Sequence, residues 1–231
     1  MGKIRVGLWA IIFTLIIVTG CASTESSQTS VGSPNETTES QKKSEEVWLT
    51  TEVVTKDSKY SYKVPEESKP ISKGFLNAMS TGANKTGGGE FVGKVNFTSG
   101  FTLKKGSRSE MPLVVSTIIE KDSEIFNSIT EILSDFQALQ KENLVVICEN
   151  DKELVEAIQK QPYDTLIISK NKKAVLIKES FEMEKEKCAG LLGIYLGETS
   201  AAYLVFMEKE SDFNKQLPLF VKVGETVTFA K

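Results

Sequence analysis

The chain opens on an almost unbroken apolar run, Val6 to Val18, behind a short basic start carrying Lys3 and Arg5. The run falls short of the roughly 20 apolar residues that a permanent membrane-spanning helix needs. A basic start followed by an apolar stretch of this length is the pattern of a secretory leader. Polarity then takes over from Ala22 to Glu46, where Ser, Thr, Glu, Gln and Asn dominate. A segment with so little to bury cannot offset its ordering entropy, so it is expected to remain a flexible tether. As flexible coil it would reach roughly 25–30 Å.

Folded patterning begins near Val47. Trp48 to Thr55 and Tyr60 to Val64 read as strands around a Lys56-Asp57-Ser58-Lys59 turn, because Tyr60, Tyr62 and Val64 alternate with Ser61 and Lys63. Glu66 to Lys85 is polar, with a short helix expected at Phe75 to Met79. Val95, Phe97, Phe101 and Leu103 then alternate with Lys94, Asn96, Thr98, Thr102 and Lys104, a strand in which Gly100 allows a bend or bulge.

From Met111 strand and helix alternate. Leu113 to Ile119 is a β-branched strand. Ser123 to Lys141 carries Ile125, Ile129, Ile132, Leu133, Phe136 and Leu139 at helical spacing behind an Asp122 or Ser123 cap. Leu144 to Cys148 is a strand, Asn150 or Asp151 opens a helix ending at Pro162, and Thr165 to Ser169 is a strand. Ala174 to Lys178 follows, then a charged segment, Glu179 to Lys187, expected on the surface. Hairpins are expected at Cys188–Leu196 with Ala201–Met207, and at Leu219–Val223 with Thr226–Phe229. The expected fold class is α+β: a mixed sheet built on a β-α-β-α-β segment at about 111–170, with antiparallel hairpins before and after it. One folded domain, 47–231, accounts for these elements, with 47–105 as an optional β-rich subdomain.

The apolar run ends at Val18-Thr19-Gly20-Cys21, which resembles the lipobox of bacterial lipoproteins. The resemblance implies that residues 1–20 are a signal peptide cut between Gly20 and Cys21. It also implies that acyl chains on Cys21 anchor the protein to a membrane, with 21–46 as the lipidated tether. Two or more acyl chains anchor stably where one is marginal. The expected place is outside the cytoplasm. Ala22, where bacteria with two membranes often use Asp for inner-membrane retention, favours the outer membrane if there is one, and otherwise the outer face of the cell membrane.

Composition narrows the function. The whole chain carries 28 basic and 31 acidic residues, net −3; without Lys3 and Arg5 the balance is −5. An acidic chain lacks the basic footprint of nucleic-acid binding. Histidine is absent, which removes His-based catalysis and His-ligated metals. Arg108 is the sole arginine beyond the leader, so bidentate anion clamps are not expected. Cys148 and Cys188 leave two options open, a disulfide or two buried thiols. No catalytic, cofactor or metal site is expected.

Two motifs fall short of the chemistry they suggest. Gly88-Gly89-Glu90-Phe91-Val92-Gly93-Lys94 begins like a phosphate loop, but Val95 stands where Ser or Thr should be and a strand follows instead of a helix. Glu179, Glu182, Glu184 and Glu186 offer carboxylates for glycoside hydrolysis, yet nothing distinguishes any pair. Leu144 to Cys148, Asn150 to Lys160 and Tyr163-Asp164-Thr165-Leu166-Ile167 resemble the α/β domain of envelope-assembly lipoproteins, the penicillin-binding-protein activators and curli-secretion proteins. Under half the chain is covered, and the glycine-centred strand ends of that family are missing. The leading expectation is a non-enzymatic, lipid-anchored envelope protein that binds a protein partner or assists assembly. A small-ligand-binding lipoprotein, with Gly82 to Gly93 as a lid, and a carboxylate hydrolase are the alternatives.

Overall fold

The computed structural model describes residues 17–18, 47–85, 95–103, 111–183 and 185–230. In chain order the strands are β1 (Ile17–Val18), β2 (Trp48–Val54), β3 (Lys59–Pro65), β4 (Lys69–Pro70), β5 (Ser99–Thr102) and β6 (Leu113–Glu120). They continue with β7 (Val145–Cys148), β8 (Leu166–Ser169), β9 (Ala174–Met183), β10 (Glu186–Leu196), β11 (Ser200–Lys209) and β12 (Thr228–Phe229). The helices are α1 (Lys73–Lys85), α2 (Glu124–Ser134), α3 (Phe136–Lys141), α4 (Asp151–Lys160) and α5 (Glu210–Glu225).

A large mixed sheet runs β4-β5-β6-β11-β10-β9-β8-β7, and β12-β3-β2 form a small antiparallel sheet. The fold is α+β, as the patterning predicts. Strands β7 and β8 are parallel neighbours, joined by α4 as a crossover. Strand β6 is separated from β8 by β11, β10 and β9, although it points the same way. Strand β1, within the segment read as a leader, pairs in parallel with Glu182 and Met183 of β9.

Strand β8 is wholly buried, and β6, β10 and β11 are buried over most of their length, because both faces of the sheet are covered. On one face Val115, Val175, Leu192 and Val205 join Leu76, Ile129 and Leu139 in a core with α1, α2 and α3. On the other, Val114, Leu176, Leu191, Leu204 and Phe206 pack against α4, α5 and the small sheet. Hydroxyls tie the two sheets together: Tyr60 donates to the Thr117 carbonyl at 3.1 Å, and Ser116 donates to Tyr62 Oη at 3.3 Å. Gly224 is needed where α5 meets β10, since a Cβ there would overlap the Tyr195 hydroxyl.

The helix starts follow their caps. Ser123 Oγ accepts from the Phe126 amide at 3.2 Å. Asn150 Oδ1 accepts from the Glu153 amide at 3.0 Å, while the Glu153 carboxylate accepts from the Glu149 amide at 2.8 Å. Ser123→Ala should therefore cost about 1 kcal/mol, read as a lower urea midpoint with an unchanged slope.

Several expectations are corrected. The helix expected over 123–141 breaks at Asp135, whose amide closes α2 on the Glu131 carbonyl. The last expected hairpin is instead helix α5. Phe213, Leu217, Phe220, Val221 and Gly224 line its buried face at helical spacing, and the exposed Pro218 leaves its carbonyl partner to solvent. Residues 95–98 are not a strand, because side chains of α1 take their backbone bonds. Asn84 pairs with both N–H and C=O of Val95, and Ser80 Oγ accepts from the Phe97 amide. Gly100 makes no bulge, since β5 pairs with β6 in unbroken register. It lets Leu76 and Val115 approach, a Cβ there standing 3.0 Å from each. The expected short helix at Phe75–Met79 extends over all of α1.

Candidate functional site

Most of the anticipated chemistry lies elsewhere or is spent on structure. Gly20, Cys21, the tether at 22–46, the Gly88–Lys94 loop and Glu184 lie outside the described residues. Cys148 and Cys188 are not bridged: both are buried, in cores on opposite faces of the sheet, so the disulfide option falls. Burial and the nearby Glu153 and Glu149 push the Cys148 thiol up to about 11, away from a reactive thiolate.

The charged segment at Glu179–Lys187 forms the end of β9 and the start of β10, and its charges at Glu182, Lys185, Glu186 and Lys187 are exposed as expected, whereas Glu179 is not. Glu179 is 5% exposed, in phase with the core residues Ile177 and Phe181. Burial, with the Asp164 carboxylate as a lesser contributor, raises its pKa to about 8.

Three further groups meet where α4 begins and α5 ends. Lys172 Nζ lies 3.2 Å from Asp151 Oδ1 and 3.5 Å from Glu225 Oε1. Burial and its hydrogen bond to the Asp151 carboxylate, which only the protonated form can donate, raise the Glu225 pKa. Burial opposes ionisation of Asp151, but hydrogen bonds from Glu225 and Lys172 together hold its pKa below the ordinary value. The cluster ties two helices and the β8–β9 turn together. Lys178 does the same for the other end of α4, donating to the Ile158 carbonyl at 2.7 Å under the Tyr163 ring.

Among the cavities lined by described residues, two bear on function. The larger, about 830 Å³, lies among loop tips: the Val54–Lys59 turn, the Gly197–Ser200 turn and Phe229–Ala230. Thr55 and Ser58 hydroxyls both donate to the Glu120 carboxylate at 2.6 Å, which fixes the first of these turns. The smaller, about 340 Å³, is walled by Leu133, Phe136, Ile168 and Leu196, with Thr130, Ser134, Lys170 and Lys173 around it. Sequence patterning missed the second cavity because it predicted a continuous helix where the break at Asp135 turns Phe136 toward Lys170. The signal present was the run of lysines directly after a parallel strand.

Exposed apolar surface is concentrated at one place. Among the described residues, Val47, Leu49 and Val54 are the large hydrophobics that stand exposed, at 56%, 42% and 58%, in or next to β2. Strand β2 is the outer strand of the small sheet, and its far side pairs with no described residue. Among the described residues there is no metal-ligating cluster of three or more Cys, Asp or Glu, and no helix is long and apolar enough to cross a membrane.

No family model matches the chain, and no curated protein matches it. Among solved structures, the chain is similar to cyanobacterial PsbP from Synechocystis sp. PCC 6803, with a TM-score of 0.36 and 12% identity over 83% of this chain and 98% of that one. It is also similar to LpqN, involved in cell envelope biogenesis of Mycobacterium tuberculosis, with a TM-score of 0.37 and 9% identity over 80% and 92%. Superpositions this loose carry no functional argument.

Proposed function

We propose that this protein is a non-enzymatic, lipid-anchored component of the cell envelope, held outside the cytoplasm by acylated Cys21, that binds a protein partner along β2. The observation that carries the reading is the open edge of β2. An unpaired strand edge is a template for another strand, and proteins that do not use it usually blunt it with Lys, Pro or a bulge. Strand β2, Trp-Leu-Thr-Thr-Glu-Val-Val, has none of these residues, and pairs with β3 in unbroken register over all seven positions. Leu49 and Val54 add apolar contact to the backbone bonds a partner strand would form. Exposed apolar residues gathered on one element mark interaction surfaces where scattered ones do not.

The anchor and the surface fit together. Strand β2 begins within two residues of the polar tether, so a partner would be met at the root of the linker from Cys21. The hydrolase reading has less support: Glu179 is sealed in the core, and Asp151 and Glu225 are bound to Lys172 and to each other.

Crosslinking in intact cells, followed by membrane solubilisation and identification of co-purifying protein, tests the proposal. The native chain should capture a discrete partner. Leu49→Lys with Val54→Lys should reduce capture at least fivefold without moving the urea midpoint, since exposed substitutions cost little stability. Cys21→Ala should release the protein from the membrane fraction and lose the partner. Equal capture by the β2 variant would refute the docking surface, and unchanged membrane association of Cys21→Ala would refute the anchor.

A further inference from the structure

We propose that the 340 Å³ cavity between α2, α3 and the β8–β9 turn binds a small organic anion with an apolar body, of the aryl- or alkyl-carboxylate class. Its size falls within the range of small-molecule sites, at the lower end. Leu133, Phe136, Ile168 and Leu196 supply an apolar wall, which selects a body that prefers to leave water. Lys170 and Lys173 both line this cavity, with the Lys170 ammonium 5.4 Å from the Phe136 ring centroid, and cationic residues beside an apolar wall select a negative group at one end of that body.

The placement of these groups is built into the fold. The cavity sits at the carboxyl end of β8, in the parallel pair β7–β8, and α/β units present ligands at the carboxyl ends of their strands. Lys173 has φ 48, the left-handed region that disfavours a lysine. It is held there from both sides, its amide donating to the Lys170 carbonyl at 3.2 Å and its carbonyl accepting from the Leu196 amide at 2.9 Å. No described residue pairs with its ammonium. Lys170 is shared between Glu149, at 2.7 Å, and the Phe136 ring, at 5.4 Å. Lys173 therefore carries the free charge, and Lys170 with Phe136 shapes the wall beside it. This site is separate from β2, and its ligand is not the partner proposed above.

The test uses the full chain carrying Cys21→Ala so that no lipid competes. Three probes of matched shape are titrated calorimetrically: 4-phenylbutyrate, 4-phenylbutyramide and 4-phenylbutylamine. The carboxylate should bind with a Kd on the order of 0.1–1 mM, as befits a ligand this small. The amide should bind about threefold to fivefold more weakly, the factor an exposed ion pair is worth, and the amine more weakly still. Lys173→Asn should equalise the carboxylate and the amide, and Asn tolerates the left-handed backbone, so the fold survives. Leu133→Trp, which fills the cavity, should abolish binding of all three. Equal affinity for the three probes, a carboxylate preference that survives Lys173→Asn, or binding that survives Leu133→Trp would each overturn the proposal, as would no heat from the carboxylate at about 10 mM.

Discussion

Phe206→Ala is expected to destabilise the protein by about 3–5 kcal/mol, a large part of what a domain of this size possesses. Phe206 stands in β11, with strands on both sides, and is fully buried. Its ring stacks on Phe220 of α5 with centroids 5.1 Å apart, and Phe213 also packs against Phe220, with centroids 5.9 Å apart. Truncation removes both the transfer free energy of the ring and one wall of an aromatic row that cannot close the gap. Urea unfolding of the wild type and the variant measures the loss. A difference under about 1 kcal/mol would mean that α5 does not pack on β11 as described.

Stability should fall as pH rises from about 5 to 8, and Glu179→Gln should remove much of that fall. Glu179 is buried neutral, and its folded pKa of about 8 stands above the ordinary carboxyl value of 4.5. A folded pKa raised in this way means that the native state holds its proton longer than the unfolded chain does. The contribution is complete below the unfolded value and drains away as pH climbs through the folded one. At about 1.4 kcal/mol per pH unit, the difference reaches about 4–5 kcal/mol at pH 8 as an order of magnitude. Glutamine has nearly the same shape and no proton to lose. Subtracting the variant's profile from the wild type's isolates the effect from other titrations, such as that of Asp151, whose lowered pKa works in the opposite direction. Parallel profiles would show that Glu179 is ionised and hydrated in the native state.

The alternating part of the fold could be read directly from residue order, and the reason is local. Leu113 to Ile119 and Leu144 to Cys148 are short apolar runs bounded by polar turns. Ser123 and Asn150 announce the helices that follow by caps whose partners lie three residues on. Errors arose wherever distant contacts outweighed local preference. Val221 and Val223 favour a strand in isolation, but the face formed with Phe213 and Phe220 has an apolar sheet to cover. Residues 95–97 alternate like a strand, yet Asn84 and Ser80 had already claimed their backbone groups. Glu179 carries the charge of a surface residue, and only the order of strands reveals that it faces the core. The 340 Å³ cavity was hidden for the same reason, since its walls come from four elements that are dispersed between Thr130 and Leu196.

Cys148 and Cys188 lie beneath different layers, one under α4 and α5 and the other on the side of α1 and α2. The molecule thus carries its own pair of chemical clocks. A thiol reagent too bulky to enter either core can modify each cysteine only when the layer above it lifts. The two labelling rates, followed by mass spectrometry of the separated peptides, time the opening of each face without any engineered probe. Equal rates would describe a sheet that sheds both coverings in one event, and unequal rates would identify which covering departs first.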